Sequence, residues 1–171
     1  LDNCRITLNK GEVHALVGEN GAGKSTLMKI LTGVYTKDEG RILIEGKEVE
    51  INNPRDAQKY GISIIHQELN LMPHLTVAQN IFIGREAFQK NRILLNDKEI
   101  NKKSEELLEL FNLDIEPTVK VSELTVAKRQ MIEIIKAISY NSRILIMDEP
   151  TAALSETEVE DLFQIIRRLK N

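Results

Sequence analysis

Residues 18–25 restrict the possible folds of this chain more than any other segment. They read Gly-Glu-Asn-Gly-Ala-Gly-Lys-Ser and match the pattern G-x-x-x-x-G-K-[ST] at every fixed position. The glycines allow the backbone to bend around a phosphate group, so that several N–H groups converge on it. A helix that starts at the end of this loop directs its positive end at the same phosphates. The pattern predicts a strand, a phosphate-binding loop and a helix, in that order.

Two side chains of this loop have distinct predicted roles. Lys24 is expected to reach the β- and γ-phosphates of a nucleotide, and the Ser25 hydroxyl is expected to ligate Mg²⁺. The predicted nucleotide-binding residues are Gly18, Glu19, Asn20, Gly21, Ala22, Gly23, Lys24, Ser25 and Thr26. The alternative is a glycine-rich strand-to-helix turn with a chance lysine, which background residue frequencies make rare for a complete match.

Two consecutive carboxylates form a second candidate site. The apolar run Ile144–Met147 is followed directly by Asp148 and Glu149. Burial of carboxylates at the end of a strand costs free energy unless they bind a metal ion or take part in a reaction. In a phosphate-loop protein, Asp148 is expected to face the metal ion through water, and Glu149 to take a proton from the attacking water. The alternative is an acidic helix N-terminus, because Pro150 and Thr151 follow.

Composition excludes several classes of protein. The 171 residues suit one α/β domain, and the net charge of −3 offers no basic surface for nucleic acid. The single cysteine, Cys4, can form no intrachain disulfide, which favours a reducing compartment. The longest apolar run has four residues, whereas a membrane-spanning helix needs about 20.

Hydrophobic patterning predicts an α/β unit, a helical insertion and a return to α/β. Strands are predicted at residues 4–8, 13–17, 62–65 and 144–147, with a hairpin at 41–49. Helices are predicted at 25–31, from Pro54 to Gly61 and over most of 76–140. Capping boxes are predicted for Asn96 with Glu99 and for Ser155 with Glu158.

The order of these motifs resembles that of the nucleotide-binding domain of ABC (ATP-binding cassette) ATPases. Residues 18–25 come first, then Gln67 in Ile-Ile-His-Gln-Glu, then Leu-Thr-Val-Ala-Lys at 124–128, then Met-Asp-Glu-Pro-Thr at 147–151. The resemblance is strongest to the ATP-binding subunits of bacterial ribose and galactose/methylgalactoside importers. It spans essentially Leu1–Asn171 and suggests a fragment of the first of two fused cassettes.

The resemblance implies a phosphate-loop NTPase fold with a parallel sheet, an antiparallel β part and a helical subdomain. A single truncated domain over residues 1–171 is then expected. Residues 1–67 and 141–171 would form the core, and residues 70–140 would form the helical subdomain.

The resemblance also assigns roles. Gln67 matches the glutamine that contacts Mg²⁺ and the attacking water, Glu149 matches the catalytic base, and residues 152–155 match the loop that crosses the dimer interface. The implied catalytic residues are Glu149, Gln67 and Lys24, and the implied metal ligands are Ser25, Gln67 and, through water, Asp148. Taken without the other motifs, Gln67 would be a surface glutamine that follows a strand.

Residues 124–128 match the signature motif but depart from its common form, Leu-Ser-Gly-Gly-Gln. The signature residues here are Leu124, Thr125, Val126, Ala127 and Lys128. Thr125 keeps a hydroxyl that can cap the next helix. Val126 and Ala127 replace both glycines, which should hinder the close approach of this backbone to a γ-phosphate bound on the opposite cassette.

The implied function is ATP hydrolysis, with Mg²⁺, that energises sugar import. The implied partners are a second cassette (fused or homodimeric), integral membrane permease subunits and, indirectly, a periplasmic or extracellular sugar-binding protein, with no nucleic acid. The chain would lie peripherally on the cytoplasmic face of the membrane. The adenine-stacking aromatic would precede Leu1 and the switch histidine would follow Asn171, so this segment alone is expected to be weakly active.

Two alternatives remain for the function. One is a soluble ABC-type ATPase not coupled to transport, which acts on ribosomes or DNA. It would be expected to carry basic patches, or a long coiled coil in place of the stretch between Gln67 and Leu124, which lie 57 positions apart. The other is a small-molecule kinase, which would leave the order of Gln67 and residues 147–151 unexplained.

Overall fold

The computed structural model describes residues 1, 4–67, 69–85, 97–152 and 154–170. Among these, the helices are α1 (Lys24–Leu31), α2 (Pro54–Lys59), α3 (Val77–Ile81), α4 (Asp97–Leu110), α5 (Val126–Ile138) and α6 (Glu156–Lys170). The strands are β1 (Ile42–Ile44), β2 (Lys47–Val49), β3 (Ile62–Ile65) and β4 (Ile144–Met147). The predicted α/β class is confirmed.

The parallel sheet consists of β3 and β4, and β3 contacts both α2 and α5. Ile62 is opposite Ile144, and Ile65 is opposite Met147, so the two strands are in register from end to end. β4 is wholly apolar and β3 contains one polar residue, Ser63, so both strands are mainly apolar, as parallel strands usually are. Because the strands run in the same direction, the residues that follow Ile65 and Met147 emerge at the same edge.

The antiparallel part is the hairpin of β1 and β2. Ile42 pairs with Val49 and Ile44 with Lys47. The two residues of the turn, Glu45 and Gly46, both have positive φ, at 51° and 76°. This backbone suits a two-residue hairpin, whose turn twists in the same sense as the strands. The predicted hairpin is therefore confirmed.

Two predicted strands do not form. Residues 4–8 and 13–17 are described without strand structure, and their side chains are exposed, Val17 to 91%. Their alternating or apolar pattern is a local signal, whereas a strand also needs a backbone partner. Between Cys4 and Val17, the described backbone bond is a turn, from the N–H of Glu12 to the carbonyl of Asn9. The predicted strand before the phosphate loop is therefore wrong for this structure.

The main core lies where α3, α5 and α6 meet β3. Its fully buried side chains include Val77, Ile81, Ile132, Ile135 and Leu162. Six consecutive residues of α5, from Gln130 to Ile135, are buried, so this helix is covered on all sides over that stretch. No helix within the described ranges is long and apolar enough to cross a membrane.

The two predicted capping boxes have different outcomes. Asn96 lies outside the described residues. At α6, the Glu158 carboxylate accepts the Ser155 N–H at 2.8 Å, as half of a capping box would require. That backbone hydrogen bond, with a second from the Ser155 hydroxyl, lowers the pKa of Glu158.

The end of α1 is joined closely to the start of α2. Gly33 follows α1 with φ of 72°, and a Cβ at this position would lie 2.4 Å from the backbone of Asn53. Asn53 caps α2 by accepting the N–H of Asp56 at 3.1 Å. Only glycine meets both requirements, because any other residue would be strained and would also clash.

Asn80 organises the loop between β3 and α3. Its side chain is buried, its Oδ1 accepts the Met72 N–H at 2.7 Å, and its Nδ2 donates to the carbonyl of Met72 at 3.0 Å. A further bond runs from Nδ2 to the carbonyl of Thr76 at 3.0 Å. Nδ2 also donates to the carbonyl of Leu75 at 3.4 Å, so one side chain bonds four backbone groups of this loop.

We predict that Asn80→Leu lowers the free energy of unfolding by about 2–4 kcal/mol, because buried backbone groups lose their partners at about 1–3 kcal/mol each. Urea denaturation of the 171-residue chain measures this change. The control is Glu105→Ala on the exposed surface of α4, which should change stability by less than about 0.5 kcal/mol. Equal effects of the two substitutions would contradict the role given to Asn80.

Candidate functional site

The phosphate loop leads directly into α1. Gly23 is the N-cap residue with φ of 90°, and Gly21 has φ of 84°. Side chains other than glycine rarely adopt such values, so both glycines are required by the backbone path. The N–H of Ala22 donates to the carbonyl of Glu19 at 3.1 Å, which closes a tight turn inside the loop. The predicted helix after the loop is confirmed.

Lys24 lies back across its own loop. Its Nζ donates to the carbonyl of Gly18 at 2.6 Å and to that of Glu19 at 3.0 Å. The ammonium group is thus held beside the glycine-rich turn, where its charge complements an anion. The loop around it is exposed, which leaves it accessible to a ligand from solvent.

Gln67 and Glu149 meet at the carboxyl edge of β3 and β4. The Gln67 Nε2 donates to the Glu149 Oε2 at 3.3 Å, across 82 positions of sequence. The Asp148 N–H donates to the carbonyl of Ile65 at 3.0 Å, so strand pairing continues one residue past β4 and fixes the position of Asp148. Two of the predicted catalytic residues are therefore in contact.

The backbone of Glu149 has an unusual conformation. Its φ is 45°, in the left-handed region that residues with a Cβ seldom occupy. Such conformations cost about 1–3 kcal/mol and concentrate at functional sites. Its carbonyl accepts the Ala152 N–H at 3.2 Å, so the chain turns sharply after it. The turn directs the Glu149 side chain toward Gln67 instead of continuing the strand.

The phosphate loop and the Gln67–Glu149 pair remain two separate groups. Within the described part of the chain, no hydrogen bond joins residues 18–26 to Gln67, Asp148 or Glu149, and no cluster of three His, Cys, Asp or Glu residues could hold a metal ion. The oxygen donors of Ser25, Gln67 and Asp148 nevertheless fit Mg²⁺. This ion commonly takes only one or two protein carboxylates and completes its shell with water and substrate phosphates.

The signature residues, 124–128, form the start of α5. The Thr125 hydroxyl accepts the Lys128 N–H at 3.3 Å, so the predicted cap is confirmed. Ala127 is buried, whereas Val126 is 49% exposed. Lys128 turns away from the helix start, and its Nζ donates to the carbonyl of Asp114 at 3.3 Å. The exposed Val126 side chain stands where the common motif has a glycine.

Sequence reasoning missed Arg129. Its Nε donates to the carbonyl of Leu124 at 3.0 Å and its Nη2 to that of Ser122 at 3.2 Å. The guanidinium therefore fixes the turn that carries the signature residues into α5. Both acceptors are backbone carbonyls in an irregular turn, so no residue pattern indicates them in advance.

Comparison with known proteins identifies the family. A family profile described as "ABC transporter" matches residues 1–152. The chain belongs to the ABC transporter family. This ABC transporter chain is also similar to two solved structures, a nucleotide-free ATP-binding cassette from an ABC transporter and the ADP conformation of such a cassette. Each has a TM-score of 0.82, at 30% and 31% identity, over 96% of this chain and 68% of the other.

Curated relatives of this ABC transporter chain bear the names of sugar-import subunits. A ribose/galactose/methyl galactoside import ATP-binding protein 2 from Burkholderia cenocepacia is 58% identical over 99% of this chain and 33% of its own length. A similarly named protein from Albidiferax ferrireducens is 55% identical over 100% of this chain and 34% of its own length. The chain thus spans about a third of the length of these relatives.

Proposed function

We propose that this chain binds ATP with Mg²⁺ and hydrolyses it, as part of a protein that energises the import of a monosaccharide. The observation that carries the proposal is the hydrogen bond between Gln67 and Glu149, in a chain that also has a complete phosphate loop. That bond supplies a candidate base and a group to orient it.

Residues 18–26 would hold the triphosphate. The turn closed by Ala22, together with the N-terminus of α1, offers backbone N–H groups, and Lys24 offers a charge already placed over the loop. Ser25, Gln67 and Asp148 (through water) would hold Mg²⁺, which neutralises charge that develops on the phosphates when bound.

Glu149 would act as the general base. Gln67 donates to Oε2, so Oε1 is left to accept a proton from a water molecule. The exposure of Glu149 allows water to reach it. The Gln67 amide also has a carbonyl oxygen that can accept from the same water, so one side chain would orient both the base and the nucleophile.

The signature residues would act on a neighbouring site. In a dimer of cassettes, either fused or homodimeric, residues 124–128 would face a nucleotide bound to the partner. The exposed side chain of Val126 at the start of α5 is expected to weaken this contact compared with glycine. Residues 1–67 and 141–171 would form the nucleotide-binding core, and residues 70–140 the helical subdomain that meets a membrane subunit.

The relatives supply the transport assignment. Their names, which include ribose/galactose/methyl galactoside import, support import of one of these sugars. We propose that the sugar passes through integral membrane permease subunits and is supplied by a periplasmic or extracellular sugar-binding protein. The full-length protein would then lie on the cytoplasmic face of the membrane. Reconstitution of the full-length protein with its permease tests this, because sugar-loaded binding protein should raise the rate of ATP hydrolysis.

We predict that Lys24→Ala weakens Mg-ATP binding at least about tenfold, because a charge-assisted phosphate contact is worth about 1.5–3 kcal/mol. Isothermal titration calorimetry measures the affinity. The control is Lys10→Ala, which removes an exposed lysine of the same amino-terminal segment and should leave binding unchanged. An unaltered affinity of the Lys24 variant would contradict its assignment to the phosphates.

We predict that Glu149→Gln in the full-length protein retains ATP binding but slows turnover in this site by roughly 10² or more, the usual effect of a lost general base. Phosphate release at saturating ATP measures the rate. Glu156→Gln, on the exposed first residue of α6, is the matched control and should hydrolyse ATP at the unmodified rate. If the Glu149 variant keeps its rate, another group activates the water.

A further inference from the structure

Glu133 is a carboxylate in an unexpected place. It belongs to the six-residue stretch of α5 that is buried on every side, and its own side chain is only 11% exposed. Its Oε1 is buried and has no hydrogen-bond partner among the described residues. A buried charge without partners is costly, so a carboxylate kept at this position needs a compensating group.

Lys136 is that group. Its Nζ lies 3.8 Å from the Glu133 Oε2, one helical turn away, and its side chain is only 17% exposed. A long cationic side chain usually extends to solvent, but here it stays against the protein. The carboxylate therefore holds the ammonium group close to α5.

The same ammonium group bonds α5 to the segment that follows Gln67. Lys136 Nζ donates to the carbonyl of Asn70 at 3.1 Å. Met72 lies two residues after Asn70, and both its N–H and its carbonyl bond the side chain of Asn80, which belongs to α3. The segment after Gln67 is thus fastened to α5 at one point and to α3 at another.

Helix α5 therefore connects the signature residues with Asn70, which follows Gln67 closely in the chain. α5 begins at the signature residues, which on the proposed function face the nucleotide of a neighbouring cassette. Near the other end of α5, Lys136 donates to the carbonyl of Asn70, three positions after Gln67, which itself donates to Glu149. Because α5 is one continuous helix, a displacement of its first turn also displaces Lys136.

We propose that Lys136, held by Glu133, is a positioning residue that ties Gln67 to the position of α5. This proposal rests on the proposed function for its catalytic consequence. The bond from Lys136 to Asn70 constrains where residues 69–72 lie, and these follow Gln67 closely in the chain. Gln67 in turn donates to Glu149. Contact between the signature residues and a neighbouring nucleotide then changes the position of the Glu149 base through Lys136.

The test replaces Lys136 by Met in the full-length protein, which keeps most of the length of the side chain but removes its charge. Lys103→Met is the matched control, because Lys103 pairs with Glu99 on the exposed face of α4 at 2.6 Å. In the Lys136→Met protein, amide hydrogen exchange measured by mass spectrometry should accelerate about tenfold in peptides that cover residues 69–72. It should remain unchanged in peptides that cover α4.

Steady-state kinetics give the second measurement. We expect Lys136→Met to lower kcat at least about fivefold with the KM for ATP within about twofold of the unmodified value, because the base is misplaced while the phosphate loop is intact. Lys136→Arg, which can still donate to Asn70, should restore most of kcat, and Glu133→Gln should lower kcat in the same direction as Lys136→Met.

The outcomes separate this proposal from the proposed function. The positioning role is overturned if Lys136→Met leaves hydrogen exchange at residues 69–72 unchanged or accelerates it equally in α4. An unchanged kcat in Lys136→Met overturns it too. A lack of rescue by arginine overturns it as well. A protein that does not hydrolyse ATP even without substitutions overturns the proposed function, and the exchange experiment then still decides whether Lys136 fastens the segment.

Discussion

The parallel pairing of β3 with β4 is the interaction on which the rest of the site depends. The two strands are distant in sequence, yet they align residue for residue. Since they end at the same edge, one ladder places Gln67 and Asp148–Glu149 side by side. The N–H of Asp148 adds one more hydrogen bond to this pairing by donating to the carbonyl of Ile65. A shift of one residue in this register would turn the side chains to opposite faces and separate the pair.

Elsewhere in the molecule, several polar side chains of helices bond to the backbone of loops. Asn80 bonds Met72, Lys136 bonds Asn70, Arg129 bonds Leu124, and Lys24 bonds Gly18. Bonds to backbone fix the path of a loop regardless of the side chains that it carries. These loops are therefore shaped by residues of helices, and α5 supplies two of them, Arg129 and Lys136.

Local sequence signals were sufficient for several elements and insufficient for others. The phosphate loop with α1, the hairpin and both strands of the parallel pair were predicted because each depends on residues close together in sequence. The pairing of β3 with β4 depends on residues far apart, so the bond from Gln67 to Glu149 was not predicted. Residues 13–17 show the reverse case, in which a mainly apolar segment is typical of a strand but pairs with no strand among the described residues. The roles of Arg129 and Lys136 also escaped prediction, because their acceptors are carbonyls that every residue has.

The close approach at Gly33 has a consequence for the phosphate loop at the other end of α1. The helix has eight residues and so is about 12 Å long, at 1.5 Å per residue. Its far end abuts the backbone of Asn53 with no room for even a methyl group. A larger residue at position 33 would therefore push the end of α1 away from the start of α2, and α1 carries Lys24 at its other end. Gly33 thus links the phosphate loop, through one short helix, to the start of α2.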